Sequence, residues 1–396
     1  MKKHILFLCA LTVLALSCSK DESWDSGGAS DSGYRSSSGA SSGNSGQINN
    51  AGKITAGEWN DLRNWGFWGK LMNSQGQTSY SSMPEYWGFD TRGRVAVHVS
   101  CPDGSPAPNI PVKLYYNDVP EWEARTDNHG DASLWMGLYN MPSPLDSTAL
   151  TLTVSGNVVP GVPVITTLRD SVAIVNNVSL TESLLISDMA EVAFIVDATG
   201  SMMDEIDFLK ADLTDILSKV KSAESSVSVH TAAVFYRDDD DDYVTRYSDF
   251  SPKPEQTINF IKDQYADGGG DYAEAVHTAL STALQNLSWD SGARNRIAFL
   301  VLDAPAHHKE SVIESLQTSI RAFAKNGIRI IPVTASGTDK STEFMCRFFS
   351  IATGGTYVFI TNDSGIGGEH IDASVGKYEV ELLNDLMVRL IKEYIE

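Results

Sequence analysis

The stretch Ala193–Ser201 reads AFIVDATGS, and it decides the fold prediction for this chain of 396 residues. It joins an apolar run, Val192–Val196, to an acid and two hydroxyls within five residues. An apolar run without alternation predicts a strand that is buried on both faces of a parallel sheet. From Met202 onward, apolar residues recur at the spacing of one helix face, at Ile206, Leu209, Leu213, Ile216, Leu217 and Val220. The stretch therefore predicts a strand, a polar turn and a helix.

The polar turn after this strand carries three oxygen-bearing side chains. Asp197, Thr199 and Ser201 offer the hard oxygen ligands that a divalent cation needs. In open α/β sheets, ligands bind at the carboxyl ends of strands, where a change in strand order opens a crevice. The two hydroxyls are also ordinary helix caps, so a capping role for Thr199 and Ser201 is the alternative. The turn alone leaves both interpretations open.

Two later segments place acids at equivalent positions. Asp271 follows the glycines Gly268–Gly270 and is predicted to cap a helix over residues 272–287, with its carboxylate facing the crevice. Asp303 follows a predicted buried strand, Arg296–Leu302. The three junctions offer carboxylates and hydroxyls without a Cys or His cluster, and that donor set favours Mg²⁺ or Mn²⁺ over Zn²⁺.

Residues from about 188 to 396 resemble a von Willebrand factor type A domain. The metal-ion-dependent adhesion site of this family has the pattern Asp-x-Ser-x-Ser, a Thr from a second loop and an Asp from a third. The resemblance implies an α/β fold with a doubly wound, mostly parallel sheet flanked by helices, and Mg²⁺ (or Mn²⁺ or Ca²⁺) as the bound ion. The implied metal ligands are Asp197, Thr199, Ser201, Asp271 and Asp303.

Asp271 departs from the family pattern, because it stands where the family has the Thr. Three ionised carboxylates around a dication leave the site near minus one, whereas two would leave it neutral. We therefore expect tighter metal binding and a weaker attraction for the external carboxylate that completes the coordination in this family. The remaining predicted elements fit the same fold, with strands over 328–333 and 357–360 and a closing helix that carries Leu383, Leu386, Leu390 and Tyr394.

The first fifty residues predict a secreted, lipid-anchored protein. Lys2 and Lys3 precede a short apolar stretch, which is the layout of a signal peptide over residues 1–17. Ala15–Cys18 resembles a bacterial lipoprotein box, in which Cys18 carries the lipid; the alternative is an ordinary signal peptide with an incidental Cys. Residues 18–50 then predict a Ser/Gly-rich flexible tether. The expected location is the bacterial outer membrane, anchored by lipid alone and exposed at the cell surface.

Residues 51–184 predict a smaller all-β sandwich ahead of the α/β domain, because short β-branched runs alternate with Gly, Pro, Asn and Asp. The turn residues at 106–112 and 126–130 resemble those of the carboxypeptidase regulatory domain and of bacterial Ig-like modules. Such modules usually act as spacers or adhesive platforms. The predicted strands are Arg94–Val99, Ile110–Tyr116, Glu121–Thr126, Ala132–Trp135, Ala149–Val154 and Val172–Val175.

A Trp-rich segment opens this region, with Trp59, Trp65, Trp68 and Trp87 close together. Such a cluster could stack on sugar rings. The favoured interpretation is a hydrophobic cap that seals the sandwich or packs it against the α/β domain. The cap is favoured because residues 55–62 are predicted to form a helical turn with an inward face.

The acidic run Asp238–Asp242 predicts a solvated hairpin tip between strands over 227–236 and 243–247. It lacks the Gly and the Glu that an EF-hand loop requires, so a second cation site is only the alternative. His307 and His308 are interpreted as rim residues beside Asp303. Cys101 and Cys346 are predicted to be small, buried residues, and a bridge between them is the alternative.

The net charge and the absence of known enzymatic motifs limit the functions that we expect of this chain. The formal net charge of −21 argues against a nucleic-acid partner. No nucleophile elbow, zinc-protease or phosphate-binding motif occurs, so we expect no enzymatic activity. The first hypothesis is a surface lipoprotein that binds a protein or matrix ligand through its metal-dependent domain. The alternative is a structural scaffold subunit of an envelope complex, in which the metal only stabilises the loops.

Overall fold

The structure of the chain is a computed structural model, and it describes residues 51–73, 80–169, 172–222 and 226–396. The predicted signal peptide, the lipidated Cys18 and the tether lie outside the described residues. The strands are β1 (Thr55–Trp59), β2 (Arg94–Ser100), β3 (Pro111–Tyr116), β4 (Val119–Arg125), β5 (Asp131–Trp135), β6 (Leu150–Val154), β7 (Asn157–Val158), β8 (Leu168–Arg169), β9 (Val172–Ala173), β10 (Asn176–Ser179), β11 (Met189–Asp197), β12 (Ser228–Tyr236), β13 (Thr245–Ser251), β14 (Asn295–Leu302), β15 (Ile328–Thr334), β16 (Tyr357–Ile360) and β17 (Glu381–Leu382). The helices are α1 (Trp65–Asn73), α2 (Met83–Trp87), α3 (Ile206–Ser222), α4 (Pro254–Lys262), α5 (Val276–Gln285), α6 (Glu310–Lys325), α7 (Lys340–Thr353) and α8 (Leu383–Ile395).

The largest sheet has eight strands in the order β13-β12-β11-β14-β15-β16-β1-β17. Strands β12, β11, β14, β15 and β16 run parallel, whereas β13, β1 and β17 pair antiparallel at the two ends. Strand β11 is central and buried along nearly its whole length, as its apolar run predicts. The mostly parallel α/β sheet is therefore as predicted.

Helices cover both faces of this sheet. Val192, Phe194 and Val196 of β11 share one core cluster with the apolar faces of α3 and α8. Ala193 and Ile195 point to the other face and share a second cluster with α5, α6 and α7. The chain passes from β11 to β12 on one side and then to β14 on the other. This change of direction leaves the carboxyl ends of β11 and β14 side by side, where Asp197 and Asp303 stand.

Three smaller sheets form the β-rich region as the structure describes it, in the orders β10-β2-β5, β4-β3-β6-β7 and β8-β9. Their pairs are antiparallel except for β10 with β2. The bounds of the strands are close to those predicted, except that the strand predicted at Val172–Val175 is the two-residue β9, with β10 following it. These sheets support the all-β prediction in part.

Strand β1 corrects one local prediction. Residues 55–59 form a strand rather than a helical turn, and this strand pairs with β16 and β17 in the large sheet. The backbone of β16 would otherwise be an open edge, so pairing with it outweighs the local helical pattern. All the described residues belong to one compact unit. The boundaries at 51–184 and 188–396 stay predictions.

The Trp-rich segment packs inward, in agreement with a hydrophobic cap. Trp68 and Trp87 are each 1% exposed, so neither offers a face to a sugar ring. The Trp68 ring stacks on Phe344 of α7 at a centroid distance of 5.8 Å. The indole N–H of Trp87 donates to Ser341 Oγ of the same helix at 3.0 Å. The segment therefore joins the N-terminal region to the α/β sheet.

Cys101 and Cys346 are both buried and unbridged in the part of the chain that the structure describes. No helix among the described residues is long and apolar enough to span a membrane.

Candidate metal centre

The turn after β11 holds its first acid in place through local hydrogen bonds. Asp197 Oδ1 accepts from the backbone N–H of Thr199 at 2.9 Å and from its hydroxyl at 2.7 Å. The hydroxyl oxygens of Thr199 and Ser201 lie 3.1 Å apart. Asp197 and Thr199 are fully buried and Ser201 is exposed, so the three side chains lead from the core to the surface. The structure brings these predicted residues together.

The capping alternative does not describe Thr199. Thr199 directly precedes a short 3-10 turn, Gly200–Asp204. Within the described part of the chain, the Thr199 side chain makes no capping hydrogen bond. The hydroxyl is instead committed to Asp197. Helix α3 begins only at Ile206. The turn is therefore built around the carboxylate of Asp197 rather than around the end of the helix.

Asp303 lies at the end of β14, beside this turn, and is 4% exposed. Burial raises the pKa of Asp197, and the charge of Asp303 raises it further. The hydrogen bonds from Thr199 lower this pKa, but by less. Burial is also the main cause that raises the pKa of Asp303. Asp197 Oδ2 and Asp303 Oδ1 are buried without a hydrogen-bond partner among the described residues. Unpartnered buried carboxylate oxygens are costly, and a divalent cation would satisfy both.

Glu274 is an acid that sequence reasoning missed. It is 2% exposed, and its Oε2 has no partner among the residues that the structure describes. Burial and the charges of Asp197, Asp238 and Asp303 raise the pKa of Glu274 to about 9. The available signal was its position three residues after Asp271, but Glu274 fell inside the helix predicted over residues 272–287.

Asp271 is not the cap of α5, which corrects the predicted helix start. The helix begins at Val276 with Ala275 as its N-cap residue. The backbone N–H of Glu274 donates to Pro305 O at 2.9 Å, in a single bridge between the segment before the helix and the segment after β14. The Asp271 side chain is exposed, and one of its oxygens lies within 4.8 Å of ligand atoms of Asp238 and His307. Its membership of the Asp197 site stays a prediction.

The acidic run forms the connection between the antiparallel strands β12 and β13, as predicted. His307 is not a rim residue, because it is 9% exposed and its Nε2 lies 2.7 Å from Asp238 Oδ1. His308 stacks on the ring of Tyr86 at 3.7 Å. The structure therefore joins the start of the acidic run to the segment after Asp303.

Comparison with known proteins identifies one family over part of this chain. Residues 191–347 match the family model described as von Willebrand factor A domain. The match contains all five predicted metal ligands, and it supports a von Willebrand factor A domain over those residues.

Two curated proteins are similar to part of this chain. A protein of Acanthamoeba polyphaga mimivirus, described as an ariadne-like RING finger protein, is 32% identical over 135 residues, which are 34% of this chain and 13% of that protein. The alpha-protein kinase vwkA of Dictyostelium discoideum is 26% identical over 146 residues, which are 36% of this chain and 23% of the kinase. The chain thus spans less than a quarter of the length of either relative.

Proposed function

We propose that the von Willebrand factor A domain over residues 191–347 is the binding head of a cell-surface lipoprotein, and that it engages a protein or matrix ligand through a divalent cation. A domain of this family is an interaction or adhesion module. The observation that carries the proposal is the pair of buried, unpartnered oxygens, Asp197 Oδ2 and Asp303 Oδ1, among the described residues. Asp197 ends β11 and Asp303 follows β14, and these two strands are neighbours where the strand order changes.

The cation of this proposal is Mg²⁺, with Mn²⁺ or Ca²⁺ as substitutes. Asp197, Thr199, Ser201 and Asp303 would hold it, and Asp271 stays a predicted fifth ligand. When bound, the ion acts as a Lewis acid that attracts an oxygen of the partner. The carboxylates of Asp197 and Asp303 together neutralise the charge of a dication. Ser201 is exposed, so an external oxygen would approach the ion from the side of Ser201.

The remaining parts of the proposal concern location and role. Cys18 would carry the lipid that anchors the chain to the bacterial outer membrane, with the folded part at the cell surface. We propose a binding role rather than an enzymatic one. The formal charge of −21 disfavours nucleic acid as the partner.

A scaffold subunit of an envelope complex is the second candidate, in which the ion only stabilises the loops. The scaffold candidate is favoured because the β-rich region packs against helix α6 of the α/β sheet. For example, the guanidinium of Arg321 on α6 donates to the backbone oxygen of Glu121 on β4 at 2.5 Å, and it lies over the Trp122 ring.

Chelation separates these two candidates. The full chain is immobilised and exposed to purified matrix proteins and purified envelope proteins, first in EDTA and then in Mg²⁺. We expect binding to need Mg²⁺ and to be lost in Asp197→Asn, whereas Asp103→Asn, at an exposed turn of the β-rich region, leaves it unchanged. A partner that binds equally well in EDTA and to Asp197→Asn would contradict the proposal and favour the scaffold.

A further inference from the structure

We propose that Asp238, Asp271 and His307 form a second cation site, distinct from the Asp197 site, and that it binds a first-row transition-metal ion. One ligand atom from each residue lies within 4.8 Å of the other two. The residues come from three separate segments, namely the start of the acidic run, the loop before α5 and the segment after β14. This inference uses neither Asp197 nor Asp303, and Asp271 is the one residue that it shares with the ligands of the proposed function.

The geometry of the cluster is close to that of a coordination sphere. His307 Nε2 and Asp238 Oδ1 are 2.7 Å apart. Two neighbouring ligands on a tetrahedral ion, each bound at about 2.1 Å, lie about 3.4 Å apart, so this pair has to open by about 0.7 Å to admit a metal. The side chains of His307 and Asp238 are only 11% and 13% exposed. Asp271 is exposed, so the site has a buried floor and an accessible third ligand.

Two unpartnered groups flank the cluster. Glu274 is 2% exposed, and its Oε2 lacks a partner among the described residues. Its backbone pairs with Ala306, next to His307, and the carboxylate lies against Gly269, two residues before Asp271. Burial and the charges of Asp197, Asp238, Asp303 and Asp241 together raise the pKa of this carboxyl group. A positive ion at the cluster would offset the free-energy cost of burying the Glu274 oxygen without a hydrogen-bond partner.

The second unpartnered group is an imidazole nitrogen. His277 Nδ1 is buried and makes no hydrogen bond within the described ranges. The charges of Asp238, Asp239 and His307 act on this ring. The His277 ring therefore lies in the electrostatic field of Asp238 and His307, two members of the cluster.

Hydrogen bonds between the loops hold the cluster together. Asp241 Oδ2 accepts from the backbone N–H of Gly269 at 2.9 Å and from that of Asp238 at 3.0 Å. The loop that carries Asp271 is thereby fastened to the acidic run that carries Asp238. A cation that binds here has little loop ordering to bring about, which favours affinity.

The ligand atoms of this cluster determine which metal ion it is expected to bind. One imidazole nitrogen and two carboxylates neutralise a dication and suit Zn²⁺ or Mn²⁺, because imidazole is a poor ligand for Mg²⁺ and Ca²⁺. The Asp197 site offers only oxygen and suits Mg²⁺. The two sites are therefore expected to respond to different ions.

The test is calorimetric titration of the untagged, EDTA-treated full chain with Zn²⁺ in an excess of Mg²⁺, and separately with Mg²⁺ alone. We expect Asp271→Asn and His307→Gln each to lower Zn²⁺ affinity about tenfold or more. His307→Gln should leave the response to Mg²⁺ unchanged, because His307 is not a ligand of the proposed Mg²⁺ site. His129→Gln, at an exposed histidine of the β-rich region, should leave both titrations unchanged. Asp197→Asn should weaken Mg²⁺ binding but not Zn²⁺ binding.

Several outcomes would overturn the second site. They are a wild-type chain that does not bind Zn²⁺, Zn²⁺ affinity unaffected by both Asp271→Asn and His307→Gln, and an Asp271→Asn variant that loses Mg²⁺ rather than Zn²⁺ binding. Because Asp271 is exposed, its variant tests the site even where His307→Gln fails to fold. Failure of the Mg²⁺ titration alone would count against the proposed function and leave the Zn²⁺ site standing.

Discussion

At the residue scale, three buried carboxylates dominate the electrostatics of the candidate centre. Asp197, Asp303 and Glu274 are each at most 4% exposed, and burial is the largest cause that raises the pKa of each. Their mutual repulsion adds to this effect at Asp197 and Glu274. Without a cation, the folded protein therefore retains protons that the unfolded chain releases. A bound dication would reverse this preference, since it needs the ionised forms.

Glu274 gives this argument a measurable pH dependence. Its pKa of about 9 in the folded state exceeds the ordinary value of 4.5, so between these values the folded state binds the extra proton. The free energy of unfolding in EDTA should then fall as pH rises from 5 to 9, by at most about 1.4 kcal/mol per pH unit from this group. Urea unfolding of Glu274→Gln should show a shallower fall than wild type.

Glu182→Gln is the matched control, because Glu182 is exposed. Its pH profile should follow that of the wild type. Profiles of wild type and Glu274→Gln that run parallel from pH 5 to 9 would show that Glu274 ionises as easily in the folded chain as in the unfolded one.

At the element scale, the pairing of β1 with β16 depends on a glycine. A Cβ at Gly57 would lie 2.8 Å from Cζ of Phe359 and 2.6 Å from Cδ2 of Tyr378. Phe359 is 1% exposed and has no room to move away. Gly57→Ala should lower the free energy of unfolding by about 1–3 kcal/mol, as measured by urea unfolding.

Gly69 provides the contrast within the same N-terminal region. It lies inside α1, and a Cβ there meets nothing within 4 Å. Gly69→Ala should be neutral or stabilise the protein by up to about 1 kcal/mol through helix propensity. Equal effects of the two substitutions would mean that β1 does not pack against Phe359 as described.

The elements that the sequence predicted well are those with long, regular patterns. Strands β11, β14 and β15 follow continuous apolar runs, and helices α3 and α8 follow apolar periodicities. The core confirms both patterns. Strand β1 escaped prediction because its pairing partner lies some 300 residues away along the chain. The convergence of Asp197, Thr199 and Ser201 followed from local sequence. The placement of Glu274 and His307 could not be predicted from local sequence, because it depends on a backbone hydrogen bond between two loops that are far apart along the chain.

At the scale of the whole molecule, the N-terminal residues are part of the α/β architecture. Asp61 and Arg347 form an ion pair with two hydrogen bonds, of 2.9 and 2.5 Å, and both side chains are fully buried. The backbone oxygen of Ser374 accepts a further hydrogen bond from this guanidinium at 2.6 Å. Breaking such a buried pair typically costs about 3–5 kcal/mol. The matched residues 191–347 therefore depend on segments outside them, and binding experiments require the full chain.

The central claim is that Asp197 and its neighbours hold a divalent cation in the folded chain. The most direct measurement is the Tm of the full chain in EDTA and in millimolar Mg²⁺, for wild type and Asp197→Asn. An ion that binds only the folded state at about 100 times its Kd adds about 2.7 kcal/mol of stability. We predict a rise in Tm of several degrees for wild type and none for Asp197→Asn. No rise with Mg²⁺, Mn²⁺ or Ca²⁺, or an equal rise in the variant, would contradict the claim.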